Sequence, residues 1–427
     1  MVIRRRKSFH RLFALLRRIE ADPSDLDAVR LLNVGVVKEI FHAERSIAKH
    51  KAEQKKQTAA LKLGRGSREQ SLAIRKYIKR IDGYVSARQD QIYIWKSFGD
   101  ALAYSYLDKF SIKHAFFEND KFGIKRGAGA LTGKDGLVAE ISCLLDALEH
   151  GVPAVLCDIT NTLRYGDVCL LGGSDPYLIE VKTSERGNKR RQRQMGQLQS
   201  LHSFLEKDEA EGFRGNAGVT HRLSLESEER NHLVALEKCI SEARLNGQSW
   251  VQPEVGVTYI AVYGKFDPAS MPTTIGGTAL FYSLNADKNS HTWAPYVPFL
   301  LTIRNEEHLI DFIQGKLSLF VIVEIDELCR LIAVDGWLAR SRPGADYLIE
   351  TLHPASGEFQ SMSSQLISRV AYEFVALNWL ADIHGMRPPS FGDSPPAQAS
   401  PDSMKAVMRE MFIERFGADD EWVPLLS

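Results

Sequence analysis

Residues Tyr165 to Glu185 read YGDVCLLGGSDPYLIEVKTSE. An apolar run, the turn-forming sequence Gly172-Gly173-Ser174-Asp175-Pro176 and a second run of strand-forming residues predict a β-hairpin. Side chains alternate along a strand, so Leu178, Glu180, Lys182 and Ser184 share one face while Tyr177, Ile179, Val181 and Thr183 share the other. Asp167 begins the first strand, 13 residues before Glu180, a separation at which a hairpin brings it beside the glutamate.

Two carboxylates and a lysine on one face suit phosphodiester hydrolysis. Hard oxygen ligands hold Mg²⁺ or Mn²⁺ against a phosphate oxygen, and a neighbouring lysine orients the attacking water and offsets charge on phosphorus. The chain has a second carboxylate-x-Lys triplet, Glu53-Gln54-Lys55. It falls in a predicted helix, where residues two apart do not face each other. The plainer reading of Glu180 and Lys182 is an exposed cross-strand face with ordinary charges.

The flanks add to the chemical reading. GKDGLVAEISCLLDALEHG, from Gly133 to Gly151, predicts an amphipathic helix with Leu137, Ile141, Leu144 and Leu148 on its apolar stripe. Glu140 falls at the edge of that stripe and is a candidate third acid; otherwise it is a surface glutamate reaching solvent. Past the hairpin, Lys189, Arg190, Arg191 and Arg193 precede a helical run with Gln194, Gln197 and Gln199. These cations are candidates for gripping flanking phosphates, or form a solvated helix start. Asp158 and Glu185 rank below the four main candidates, Asp158 being read as the end of a strand or the cap of a turn.

A helix with Glu140, a strand with Asp167, a strand with Glu180-x-Lys182 and a helix with Gln197 together resemble the PD-(D/E)XK (restriction-endonuclease-like) nuclease superfamily. The resemblance spans Gly133 to Leu205, and GLVAEISCLLDAL, GDVCLL and LIEVKTSERG are also similar to nuclease-related domains of the NERD type. It implies an α/β, restriction-endonuclease-like mixed-sheet core with Asp167, Glu180 and Glu140 as metal ligands for Mg²⁺ or Mn²⁺, and Lys182 as the catalytic lysine. The implied function is metal-dependent nuclease action, with DNA favoured over RNA, in restriction, repair or anti-phage defence. The alternative is a nuclease-fold protein that no longer cuts and serves as a nucleic-acid-binding or scaffolding subunit. Two departures stand out: Gly166, not proline, precedes Asp167, and Leu201, not tyrosine, follows four residues after Gln197.

The rest of the chain frames this core. Over positions 1–130 there are 28 Lys and Arg against 14 Asp and Glu, although the whole chain is neutral. Such asymmetry fits phosphate-backbone contact and equally a solvated helical face. Positions 1–110 contain one proline, Pro23, and show helical spacing in Phe13, Leu16, Ile19 and in Ile74, Ile78, Ile81. Helices from about Val37 to Lys62 and from about Glu69 to Asp108, flanking Gly64-Arg65-Gly66-Ser67, predict a helical hairpin or short coiled coil. Its plain role is to join a second copy or a partner protein.

The expected organisation is a helical region over 1–122, a nuclease-like domain over 123–265 that runs through a strand at Val257–Gly264, an α/β extension over 266–386 with a strand at Leu319–Ile325 and one helix over 364–383, a Pro- and Ser-rich linker over 387–402 and a final helix over 403–427. Five scattered cysteines (Cys143, Cys157, Cys169, Cys239, Cys329) form no C-x-x-C pair, which speaks against a disulfide framework or a zinc knuckle. There is no G-x-x-x-x-G-K-[ST] loop for a nucleotide. No apolar run approaches the length of a membrane span, and MVIRRRKSFHRLFALLRR lacks a signal-type cleavage site, so a cytoplasmic address without membrane contact is expected.

Overall fold

The structure is a computed structural model that describes residues 6–62, 67–181, 189–216, 218–222, 227–267, 269, 277–342, 347–384, 409, 413, 417 and 422, with 189–191 and 384 described by backbone alone. The chain divides into two compact units, residues 1–222 with 286–315 and residues 223–285 with 316–427. No helix among the described residues is long and apolar enough to cross a membrane.

The first unit opens with α1 (Arg6–Ala21), α2 (Leu26–Lys62) and α3 (Arg68–Tyr104). Apolar residues at helical spacing bury one face of each: Phe9, Leu12, Leu16 and Ile19 of α1, Leu32, Val36 and Ile40 of α2, and Phe98 and Leu102 of α3 are fully enclosed. Burial of each such side chain stabilises the fold by roughly 1.5–3 kcal/mol. α2 and α3 fold back on each other as the turn signal predicts. Ser67 starts α3 with a capping box: its hydroxyl accepts from Gln70 N at 3.2 Å and its own N–H donates to Gln70 Oε1 at 2.9 Å.

After the short α4 (Lys109–Ile112) come α5 (Leu137–Glu149), β1 (Ala154–Leu156), a 3-10 turn at Cys157–Ile159, β2 (Val168–Leu170) and β3 (Tyr177–Ile179). The three strands form one sheet in the order β1-β2-β3. The expected hairpin is present, with Val168 opposite Ile179 and Leu170 opposite Tyr177. Its turn is tied down by Arg222, whose Nη2 donates to Asp175 Oδ2 at 2.8 Å and to Leu205 O at 2.8 Å. α6 (Lys189–Lys207) follows, and β4 (Glu209–Glu211) pairs with β5 (Val219–His221).

The second unit contains α7 (Leu233–Asn246), β6 (Gln248–Glu254), β7 (Val257–Tyr263) and β8 (Ala279–Ser283). The chain passes through α8 (Leu284–Ser290), α9 (Phe299–Thr302) and α10 (Glu306–Gln314), the last two in the first unit. It returns as β9 (Leu317–Glu324), α11 (Ile325–Ile332), β10 (Leu338–Ser341), β11 (Tyr347–His353), β12 (Glu358–Ser363), α12 (Ser364–Ile367), α13 (Arg369–Tyr372) and α14 (Leu377–His384). β6-β7-β9-β8 and β10-β11-β12 are its two sheets.

Three differences from the sequence expectations have physical causes. A mixed sheet is expected, yet every described strand pairing is antiparallel. β2 and β3 are hairpin neighbours, and the turn and loop between β1 and β2 reverse the chain without a crossover helix. A boundary near 122 is expected, yet the N-terminal helices share the first unit with β1 to β3, because Asn33 of α2 is fully buried and bonds the backbone of β1. Its Nδ2 donates to Ala154 O at 3.1 Å and its Oδ1 accepts from Leu156 N at 3.3 Å. One helix is expected over 364–383, yet three short ones form. Phe374 takes a φ of 56°, Val375 bridges to Asn231, and the Glu254 carboxylate accepts from Asn378 N at 3.3 Å to start α14 afresh. The linker over 387–402 and the final helix over 403–427 lie almost wholly outside the described residues.

Candidate functional site

Two of the three acids favoured in the sequence, Glu140 and Asp167, meet the lower-ranked Asp158 around a lysine that was not singled out. Lys134 Nζ lies 2.8 Å from Glu140 Oε1, 2.8 Å from Asp158 Oδ2 and 3.0 Å from Asp167 Oδ1. Three backbone elements deliver these acids. Glu140 projects from the first turn of α5 and is 2 % exposed. Asp158 sits in the 3-10 turn that follows β1. Asp167 precedes β2, held by its N–H to Ile179 O at 2.7 Å and by Cys157 N to its carbonyl at 2.9 Å.

Two glycines allow this convergence. A Cβ on Gly99 of α3 would stand 2.3 Å from Ile159 O, so the helix backbone can press directly on the Asp158 turn only without a side chain there. Gly166 has a φ of 68°, and a Cβ on it would stand 2.9 Å from Ile179 O. Proline, fixed near −65°, cannot take that conformation, which accounts for glycine before Asp167. The turn is held from the other side by buried Asp100, whose carboxylate accepts from Asn161 N at 2.8 Å and Thr162 N at 2.9 Å. Burial pushes the Asp100 carboxyl above its ordinary range.

The electrostatics follow from placing three acids around one ammonium. Burial pulls the Lys134 ammonium down, but hydrogen bonds to Asp158, Glu140 and Asp167 outweigh that and raise it above its ordinary value. Burial raises the Glu140 carboxyl, Lys134 opposes the rise, and the neighbouring charges of Asp167 and Asp158 add to it. Lys96 of α3 is lowered by burial while the charges of Asp158, Asp100 and Glu44 pull it back up. Three carboxylates against one close cation leave an excess of negative charge, the condition under which a further cation is attracted.

Glu180 follows β3 directly and is partly buried. The next residue ties this end of the strand to the cluster, Val181 N donating to Asp167 Oδ2 at 2.9 Å. Lys182 lies outside the described residues, as do the side chains of Lys189, Arg190 and Arg191. Arg193 is exposed on α6. The Gln197 side chain accepts from Lys125 Nζ at 2.9 Å and donates to Asp120 at 3.4 Å; the hydrogen bonds it makes are with these residues and not with the three acids. Asp158, ranked low in the sequence, is brought into the cluster, and Lys134 was not singled out at all.

The chain matches no family model, no curated protein and no solved structure. Its own geometry is therefore what bears on function. Carboxylate oxygens are hard groups, of the kind that Mg²⁺ and Mn²⁺ take in preference to softer ligands. The acids stand at hydrogen-bonding distance from an ammonium, and among the described residues no group of His, Cys, Asp or Glu is arranged as a metal-ligand set. The three acids surround one cation, the Lys134 ammonium.

Proposed function

We propose that the chain is a metal-dependent nuclease that hydrolyses phosphodiester bonds, with DNA favoured over RNA. The observation that carries this reading is the convergence of Glu140, Asp158 and Asp167 on one cationic position, 2.8–3.0 Å from Lys134 Nζ. Glu140, Asp158 and Asp167 would hold Mg²⁺ or Mn²⁺, and Glu180, expected from the sequence as a further ligand, would have to join them from the end of β3. The bound ion would lower the pKa of a coordinated water and neutralise a phosphate oxygen.

The chain's own residues supply the remaining functions. Lys134 neutralises the acids, and its partly exposed side chain would have to withdraw for an ion to take its place. Lys182 donates through Nζ to the attacking water or to a phosphate oxygen and offsets charge developing in the transition state. Lys189, Arg190, Arg191 and Arg193 neutralise phosphates flanking the scissile bond. Restriction, repair and anti-phage defence in the cytoplasm are roles that such an activity would serve.

The occupied cationic position favours a second reading as well, a nuclease-like module in which Lys134 permanently replaces the ion and the protein binds nucleic acid or a partner without cutting. Thermal unfolding with added Mn²⁺ separates the two. A nuclease shows stabilisation by Mn²⁺ that disappears in Asp167→Asn, and a lysine-filled module shows none in either protein.

A further inference from the structure

Between Arg45 and Gln89 the sequence has 13 Lys and Arg and 3 Asp and Glu, the acids being Glu53, Glu69 and Asp82. This stretch is the far half of the α2–α3 hairpin. Buried side chains of α2 end at Ala43, those of α3 resume at Tyr93, and in between Ile81 is the one buried residue among those described. The base is anchored where Glu44 accepts from Leu131 N at 3.0 Å and Thr132 N at 2.7 Å. Beyond it the two helices hold each other, through Gln54 and Asp82 at 2.6 Å and through His50 and Tyr84 with ring centroids 5.6 Å apart. The 19 residues from Glu44 to the end of α2 rise roughly 28 Å at about 1.5 Å each.

The charge is ordered on this prong. Arg68, Arg75, Lys76 and Lys79 recur at helical spacing along one exposed face of α3, and Lys49, Lys51, Lys55, Lys56 and Lys62 are exposed on α2. We propose that the prong is a docking arm for the phosphate backbone of double-stranded nucleic acid. The choice of a phosphodiester polymer rests on the nuclease reading of the carboxylate site; the duplex and the arm rest on the prong itself. Single-strand binders add aromatic platforms on which bases stack, and among the described residues of the prong the exposed large apolar side chains are Leu72 and Tyr77. That is too little for the apolar centre of a protein interface or the buried face of a membrane-lying helix. A stiff, cationic, weakly apolar arm of this length matches a row of phosphates along roughly one duplex turn, about 34 Å.

The test is fluorescence anisotropy of a fluorescein-labelled DNA duplex of about 30 base pairs, in EDTA, from ~50 to ~200 mM salt. The full chain is compared with the variant Lys55→Gln, Lys56→Gln, Arg75→Gln, Lys76→Gln, Lys79→Gln. Circular dichroism monitors helicity, and the smaller variant Arg75→Gln, Lys79→Gln takes its place if helicity falls. The wild type is expected to bind with a steep salt dependence, and the five-residue variant on the order of tenfold or more weaker with a log–log slope shallower by about three. Unchanged affinity and slope in the variant would overturn the proposal. So would a wild type that prefers single-stranded DNA, an acidic peptide or anionic vesicles to the duplex. Because binding is read in EDTA, it is measured without any cleavage. A chain that docks on duplex through the prong but never cuts would overturn the nuclease reading and leave the arm standing.

Discussion

Lys134 Nζ lies 2.8 Å from Oε1 of Glu140, a carboxylate that is 2 % exposed. A buried acid of this kind remains charged only beside a cation, and the same ammonium serves Asp158 and Asp167. Removing it would leave three carboxylates facing one another.

Lys134→Met is therefore expected to lower stability by about 2–3 kcal/mol at neutral pH, allowing for the partial exposure of the lysine. Added Mn²⁺ should restore much of that loss and stabilise the variant more than the wild type, because the ion no longer competes with an ammonium. Urea unfolding with and without Mn²⁺ measures both. A variant as stable as the wild type and indifferent to the ion would show that the acids do not form a cation site.

The raised Glu140 carboxyl sets a pH dependence. Its folded pKa lies above the unfolded value, so its contribution is fully present below the unfolded pKa, near 4.5, and is lost as pH rises through the folded one. Glu140→Gln removes this titration. The melting temperature of Glu140→Gln relative to the wild type should rise as pH climbs above about 4.5, and a difference that stays constant with pH would contradict the assignment.

Asp158→Asn keeps the shape of the 3-10 turn while removing one of the three charges. Cleavage is expected to fall on the order of 10- to 100-fold with little loss of stability. Unchanged cleavage by a folded Asp158→Asn protein would return Asp158 to the turn-capping role that its sequence position suggests.

Gly99→Ala tests the scaffold without touching a charge. Its Cβ would meet Ile159 O at 2.3 Å, and relieving that clash must displace either α3 or the Asp158 turn. A cost of about 2–3 kcal/mol is expected, together with reduced activity. Differential scanning calorimetry that shows no change in unfolding temperature would mean the helix and turn have room that the geometry denies them.

The parts of this site that were legible in the sequence are those written in local pattern. Gly172 to Pro176 between two strand-forming runs specified the hairpin, and Glu140 stood out because it interrupts an apolar stripe. Asp158 was ranked low because a single 3-10 turn after a three-residue strand has no periodicity to read. Lys134 lies in a glycine-rich approach to α5, and only the folded chain shows that it reaches three acids at once. The division into units was hidden for a related reason. It depends on contacts such as Asn33 with Ala154 and on the return of residues 286–315 to the first unit, which are separated by more than a hundred positions from what they join. The break at Phe374 was likewise invisible, since an unbroken apolar run looks the same whether or not one residue adopts a positive φ.

Plasmid cleavage in Mg²⁺ or Mn²⁺, run side by side for the wild type, Asp167→Asn and Lys182→Ala, addresses the central claim most directly. Metal-dependent cutting by the wild type that falls to background in both variants is the predicted result. Cutting that survives in Asp167→Asn, or a wild type that neither cuts plasmid nor gains stability from the ion, would contradict it.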